Sequence, residues 1–256
     1  MAPGNDGRWH AALAGMPRAW AGLLNDREMQ RRSESKFLMP QEAALRLASA
    51  LRPACAVLPA GDALIASYQS LYFDTDDLSL FHAHRRGRRV RHKVRIRHYP
   101  DRQVSFLEVK LRRGEHDSLK VRRERDFGDS RLSHADRAFL DAQCGRHDDL
   151  RPQAWITYSR ITLLALRSTE RVTIDLHFAA YRAHARAELP HLAVVEVKQP
   201  RFDRRGVALR AVLDAGCRPG WASKYCTGVI LTSPNVRANR LREHLRALQA
   251  VRSWAH

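Results

Sequence analysis

The stretch from Arg91 to Lys110, RHKVRIRHYPDRQVSFLEVK, decides the fold. In an extended strand, residues i and i+2 project to the same side. Read with that period, Arg91, Lys93, Arg95 and Arg97 share one face, and Val94 and Ile96 take the other. Tyr99-Pro100-Asp101 is turn-like. A second strand follows, in which Glu108 and Lys110 share a face opposite Leu107, Val109 and Leu111. The spacing predicts a β-hairpin with one apolar and one ionic face. A solvated ionic face would explain a single hairpin of this kind. That explanation weakens if the rest of the chain repeats the pattern.

The pattern recurs on both sides. Upstream, RSESKF (Arg32–Phe37) reads as a strand with Glu34 and Lys36 at i, i+2, and SYQSLYFD (Ser67–Asp74) as an aromatic-rich strand. Downstream, Lys120, Arg122 and Glu124 alternate with Val121 and Arg123 after a turn over Gly114–Asp117. Between Trp155 and Leu166, Tyr158 and Arg160 oppose Ile161 and Leu163. Arg171, Thr173 and Asp175 then oppose Val172 and Ile174, and Glu196 and Lys198 oppose Val195 and Val197. Helices are predicted over Gln41–Leu51 after Pro40, over Ser133–Gln143 with Ser133 as cap and Gly145 as stop, and over Asp203–Ala215 before Gly216. Asp74–Asp77 reads as a cap cluster opening a short helix with Leu78, Leu80 and Phe81. Asn235–Trp254 reads as a basic amphipathic helix with Leu241, Leu245, Leu248 and Val251 in register.

The helices between strands need an apolar sheet face to pack on. If the sheet curls into a barrel with helices outside, its ionic faces line the lumen. The expected class is α+β: an antiparallel β-barrel with helices packed outside. The expected organisation is an N-terminal extension over 1–30, either a capping helix or a disordered lead, and one domain over 31–256 that includes the C-terminal helix.

Composition narrows the chemistry. The 256 residues carry 45 Lys plus Arg against 27 Asp plus Glu, a formal charge of +18. Such a balance favours an anionic partner: nucleic acid, phosphate compounds or an acidic membrane surface. Cys55, Cys144, Cys217 and Cys226 form no CxxC pair and no zinc spacing, which fits reduced thiols in a cytoplasmic protein. No apolar run is long enough for a transmembrane helix, and the N-terminus lacks a secretory pattern. Walker, dinucleotide-binding, kinase, HExxH and Gly-x-Ser-x-Gly motifs are all missing, so side chains must bind any phosphate. His82, His84 and His92 flank the hairpin as surface or lumen-edge histidines.

An unpaired buried charge costs several kcal/mol. A lumen lined by Arg and Lys must therefore stay wet or hold a polyanion. Arg presents a planar fork to phosphate oxygens, and Lys presents a point charge. The inward carboxylates Glu34, Glu108, Asp175 and Glu196 have two readings: oxygen ligands for Mg²⁺ or Mn²⁺, or salt bridges to neighbouring cations.

The ordered series RSESKF, SLYFDTDDLSLF, RHKVRIRHY, FLEVK, LKVRRE, YSR, RVTID, VVEVK and SKY resembles the VTC domain, spanning about Arg32–Leu231. That domain is the catalytic unit of vacuolar transporter chaperone polyphosphate polymerases, within the triphosphate tunnel metalloenzymes. The resemblance implies a basic tunnel in which Lys36, Arg95, Arg97, Lys110, Lys120, Arg160, Arg171 and Lys224 bind the phosphates of ATP and inorganic polyphosphate. Of these, Lys120 is the one assigned to binding alone; the others also serve the transfer. Lys198 joins the binding set from its strand face, as does Arg122 beside Lys120. Tyr158 would orient Arg160 or touch phosphate. Glu196 would bind the Mn²⁺ or Mg²⁺, with Glu34, Glu108 and Asp175 as further candidates. The implied reaction moves the γ-phosphoryl group of ATP onto a growing polyphosphate chain.

Two departures matter. In 256 residues no room is expected for the phosphate-sensing domain and membrane helices of eukaryotic members, so a membrane partner would be a separate protein. Glu34 is reminiscent of the ExExK strand of the related phosphatases, without its first Glu. A metal-dependent triphosphatase or tripolyphosphatase therefore stays open, as does a non-catalytic polyphosphate-binding module. A nucleic-acid binder using Arg237, Arg240, Arg242 and Arg246 is disfavoured, because the strands carry no exposed-aromatic stacking motif.

Overall fold

A computed structural model describes residues 6–25, 33–114, 118–145, 149–217, 219–220, 223–233, 235–236, 241, 246–248 and 250. In chain order, α1 (Asp6–Leu13) and α2 (Ala21–Asn25) precede β1 (Ser33–Pro40), α3 (Gln41–Leu51), β2 (Cys55–Val57) and β3 (Ala66–Asp74). Next come α4 (Ser79–Arg85), β4 (Arg91–Tyr99), β5 (Val104–Arg112), β6 (Ser118–Arg125), α5 (His134–Cys144) and β7 (Arg151–Ala165). The described elements end with β8 (Arg171–Arg182), β9 (Ala185–Leu189), β10 (Leu192–Gln199), α6 (Val207–Asp214) and α7 (Lys224–Thr232).

The decisive hairpin forms as its periodicity requires. Pro100–Arg102 makes one 3-10 turn, and β4 pairs with β5 so that Arg95 lies opposite Glu108 and Val94 opposite Val109. Val94, Ile96, Leu107 and Val109 are fully buried and cluster with Leu140 of α5. One antiparallel sheet runs β1-β10-β8-β7-β3-β4-β5-β6, with β2 added beside β7 and β9 beside β8. Among the described residues its ladder ends at β1 and β6 without closing. The gap is spanned by side chains: Lys110 of β5 lies 3.6 Å from Glu34 of β1.

The outer face carries two apolar clusters. Trp9 and Leu13 of α1, Leu47 and Leu51 of α3 and Leu209 of α6 pack on Ile161, Val172 and Val195. Residues 6–13 of the N-terminal extension are thus a helix built into the core. The second outer cluster is the one under α5. A third lies on the inner face, where Tyr225, Cys226 and Val229 of α7 meet Tyr72, Ile156, Tyr158 and Val194. So α7 sits against the concave side. Its approach is close: a Cβ on Gly228 would lie 2.4 Å from Ile156 Cδ1 and 3.2 Å from Ala180 Cβ.

Several local expectations shift. The short helix α4 starts one turn later than the Asp74–Asp77 cluster, behind Leu78 at φ 59°. Buried Asp74 still serves it from a distance: its carboxylate accepts the Leu80 and Phe81 N–H groups and the Tyr225 hydroxyl. The helix expected from Asp203 begins at Val207, because buried Glu170 accepts the Ala208 and Leu209 N–H groups there. The strand expected from Trp155 starts earlier, at Arg151. Most of the turn over 114–117 and of the helix over 235–254, including Arg237, Arg240, Arg242, Leu245 and Val251, lies outside the described residues. Leu248 is buried in the inner cluster, and Leu241 packs against it. All four cysteines are free. Among the described residues no helix is long and apolar enough to cross a membrane.

Candidate functional site

The inner face is built from rungs that run across neighbouring strands. Residues paired in an antiparallel ladder share a face. One rung aligns Leu38, Val194, Asp175 and Arg160 across β1, β10, β8 and β7, and the next aligns Lys36, Glu196, Thr173 and Thr162. On the far half, Tyr72, Arg95, Glu108 and Arg122 align across β3 to β6. This register makes a lumen of residues more than a hundred positions apart.

Two buried carboxylates organise the cations. Asp175 accepts Arg160 Nε at 2.5 Å and Nη2 at 2.7 Å, and also pairs with Lys224. Burial would raise its pKa, but Arg160 and Lys224 outweigh burial and hold it well below the usual carboxylate range. Glu108 takes Arg95 Nε at 2.7 Å, pairs with Lys120, and lies 3.8 Å from Arg97 Nη1. Arg95, Arg97 and Lys120 likewise outweigh burial and hold its carboxyl far below the ordinary value. Lys120 itself is brought down to about 8 by burial, with Glu108 acting against the shift.

Aromatic rings set the directions of the forks. Arg95 Nη1 donates to the Tyr72 hydroxyl at 2.7 Å, and Arg97 Nε donates to Ser70 Oγ at 3.0 Å. Arg97 is only 5% exposed, and its guanidinium lies 5.3 Å from the Tyr68 ring centroid. Arg160 stands 5.3 Å, and the Lys224 ammonium 4.6 Å, from the Tyr158 centroid. Arg160 thus lies beside two rings, 5.0 Å from the Tyr68 centroid as well. Tyr68 and Tyr158 stack at 5.0 Å, so the platform is itself packed.

A second carboxylate pair sits across β1 and β10. Lys36 Nζ is 3.2 Å from Glu34 Oε2 and 3.7 Å from Glu196 Oε1, and Lys198 Nζ is 3.5 Å from Glu196 Oε1. Burial acts to lower the Lys36 pKa, but the two carboxylates raise it above the ordinary value, so it is firmly charged. Arg171 lies beside Lys198 in register, and Arg122 stacks 4.7 Å from the Phe106 centroid.

The structure thus brings Lys36, Arg95, Arg97, Lys110, Lys120, Arg160, Lys198 and Lys224 to one lumen with all four candidate carboxylates. Arg171 and Arg122 sit on the same face, Arg171 beside Lys198 and Arg122 beside Glu108. Lys224 arrives from the first turn of α7, whose N-terminus is capped by Ser223. Among the described residues no three His, Cys, Asp or Glu side chains gather as a metal site. Glu34 and Glu196, which share Lys36, fit a hard cation: one or two carboxylates suffice where phosphates complete the shell. Glu108 and Asp175, also raised as ligands, are each engaged by at least two cations, as are Glu34 and Glu196. Tyr72, Ser70 and Lys93 were not picked out from the sequence as site residues. Period-two alternation places Lys93 on this face and would have placed Tyr72 and Ser70 there too, but only the register reveals their partners.

Residues 31–232 match the VTC domain. The chain belongs to the VTC-domain family. No curated protein matches it. Among solved structures, HpAC1 from Hippeastrum, a candidate adenylyl cyclase with a dominant triphosphatase activity, is similar at 16% identity and a TM-score of 0.51. The match covers 81% of this VTC-family chain and 97% of that one. A candidate adenylate cyclase from Bacillus halodurans is similar at 14% identity and a TM-score of 0.45, covering 76% and 96% of the two chains. At such identities the likeness to HpAC1 shows a shared fold alone.

Proposed function

We propose that this VTC-family protein is a polyphosphate polymerase that transfers the γ-phosphoryl group of ATP onto an inorganic polyphosphate chain inside its basic tunnel. The observation that carries the reading is the lumen itself, where Arg95 and Arg97 converge on buried Glu108, and Arg160 and Lys224 on buried Asp175. Those carboxylates neutralise part of the charge, and the remainder is set for phosphate oxygens. Arg95, Arg97 and Arg160 are held by Tyr72, Ser70 and Tyr158, so they need not reorganise as charge develops on the transferred group.

The chemistry needs no protein nucleophile. A terminal oxygen of the acceptor chain attacks the γ-phosphorus, that P–O bond forms, the bond to the β-phosphate oxygen breaks, and ADP leaves with the electron pair. Donor and acceptor are both polyanions that repel each other in water. The cationic wall offsets that repulsion and aligns them, which is the main contribution available to an enzyme of this class. Mg²⁺ or Mn²⁺, held by Glu196 with Glu34, would supply further charge neutralisation on the phosphates.

A triphosphatase using the same site is the second reading, favoured by the shared fold with HpAC1 and its triphosphatase activity. The test is incubation of the purified chain with ATP and Mn²⁺ or Mg²⁺, with products separated on a polyphosphate gel beside Glu196→Ala and Arg95→Ala. A ladder of chains that both variants lose supports the polymerase. Orthophosphate without chains supports the hydrolase. Binding of polyphosphate without turnover would leave a binding module.

A further inference from the structure

Along β4 and β5 the cross-strand partners change from opposite charges to like charges. At Arg95 the opposing residue is Glu108, a matched pair. Two residues further out, ~7 Å along the strand, Lys93 opposes Lys110, which in turn opposes Lys120. Two residues beyond that, Arg91 opposes Arg112. Like charges directly opposite one another destabilise a sheet. Lys110 and Lys120 reach back to Glu34 and Glu108. Lys93 does not: among the described residues no carboxylate pairs with it.

From α4, both His84 ring nitrogens stand 3.3 Å from the Lys93 ammonium. His84 Nε2 is 3.1 Å from the His92 carbonyl; as donor there, it leaves Nδ1 to accept from Lys93. Cys226 of α7, Lys110 of β5, Lys36 of β1 and Arg91 of β4 are the other titratable groups whose fields act on it. Burial, reinforced by those cations, brings Lys93 down to about 7, and burial beside Lys93 brings His84 down to about 3, so His84 is a neutral acceptor. A half-buried lysine among cations, backed by a neutral imidazole, is arranged for an anion that arrives from the lumen. Outward from this point the same edge leads into Arg86, Arg88 and Arg89, all exposed, and Arg91 is tied to the Arg88 carbonyl at 2.5 Å.

We propose that Lys93 and the opposed pair Arg91 and Arg112 form a second anion subsite that takes the phosphates of a polyphosphate chain beyond those held at Arg95, Arg97 and Arg160. This rests on the reading that the lumen handles polyphosphate, and it adds a side and a length to it. The chain lies along β4 and β5 and leaves past the arginine loop before β4. A triphosphate is held without this subsite; a longer chain spans both.

The test is equilibrium binding at fixed ionic strength, without nucleotide, of tripolyphosphate and of long-chain polyphosphate. Wild type is compared with Lys93→Met, Arg112→Gln and the double variant Lys93→Met/Arg91→Gln. Long-chain affinity should fall about tenfold or more in the double variant, while tripolyphosphate affinity stays within about twofold, which also reports an intact fold. Equal loss for both ligands, or no loss for either, overturns the subsite. So does a wild type that binds both probes alike. Turnover is not read, so a protein that hydrolyses ATP without making chains can still pass, and a polymerase can still fail.

Discussion

Asp175→Asn is the sharpest perturbation of the lumen. The side chain keeps its size and loses its charge. In the native protein Asp175 is 3% exposed and holds both Arg160 and Lys224. Neutralising it leaves two buried cations facing each other with no acid between them. Breaking one buried ion pair by removing a partner costs about 3–5 kcal/mol. At about 2–4 °C per kcal/mol for a chain of this size, the melting temperature should fall by roughly 6–20 °C. Tripolyphosphate should return part of that loss, since its oxygens can take over both cations, so its stabilising shift should be larger in the variant than in wild type. The pH dependence has a fixed sign. The folded pKa of Asp175 is depressed, so its contribution is present above the unfolded value of about 3.9 and is lost as pH falls below it. The Asn variant should show a flatter acid limb. The assay is thermal unfolding from about pH 2 to 8, with and without tripolyphosphate. An unchanged melting temperature, or a tripolyphosphate shift no larger than in wild type, would refute the picture of Asp175 as the counter-ion of an anion site.

Other expectations follow from single contacts. Lys93→Met should stabilise the empty protein at pH 7. With Lys93 near 7 when folded and about 10.4 when unfolded, the unfolded chain binds the extra proton between those values, so wild-type stability rises with pH there; chemical denaturation across pH 7–10 should show that rise reduced in the variant. Glu196→Gln should lower metal-dependent turnover about tenfold or more while leaving the far-ultraviolet circular dichroism unchanged, checked by Mn²⁺ titration of the initial rate. Gly228→Val should cost about 1–3 kcal/mol by overpacking α7 against Ile156 and Ala180, read from urea midpoints at constant slope. Glu170→Ala should cost about 1–3 kcal/mol, because the Ala208 and Leu209 N–H groups at the start of α6 lose their acceptor.

Period-two reading placed the inner charged residues of β1, β4 to β8 and β10 on the correct face of their own strands. Arg95, Glu108, Asp175 and Glu196 were legible because Val94, Val109, Ile174 and Val195 alternate with them and are fully buried. The helix over Gln41–Leu51 and the Ser133 cap were legible for the same local reason, a boundary residue beside an apolar stripe. What a single strand cannot show is its neighbour. That Glu108 serves Arg95 and Lys120, and that Tyr72 steers Arg95, depends on the register of four strands. Asp74 and Glu170 were misjudged or missed because each satisfies backbone N–H groups at least six residues away, which leaves no local signature. The position of α7 against the inner face was also hidden. Its short apolar run reads alike whether it packs outside the sheet or within the lumen, and only Gly228 marks the close approach.

The central claim is that the lumen transfers phosphoryl groups to a chain and not to water. The most direct measurement is a phosphorus-31 nuclear magnetic resonance time course of the purified protein with ATP and Mn²⁺ or Mg²⁺. The account predicts a growing signal from internal chain phosphates, in step with ADP and with little orthophosphate. Orthophosphate rising in step with ADP, with no internal chain signal, would contradict it.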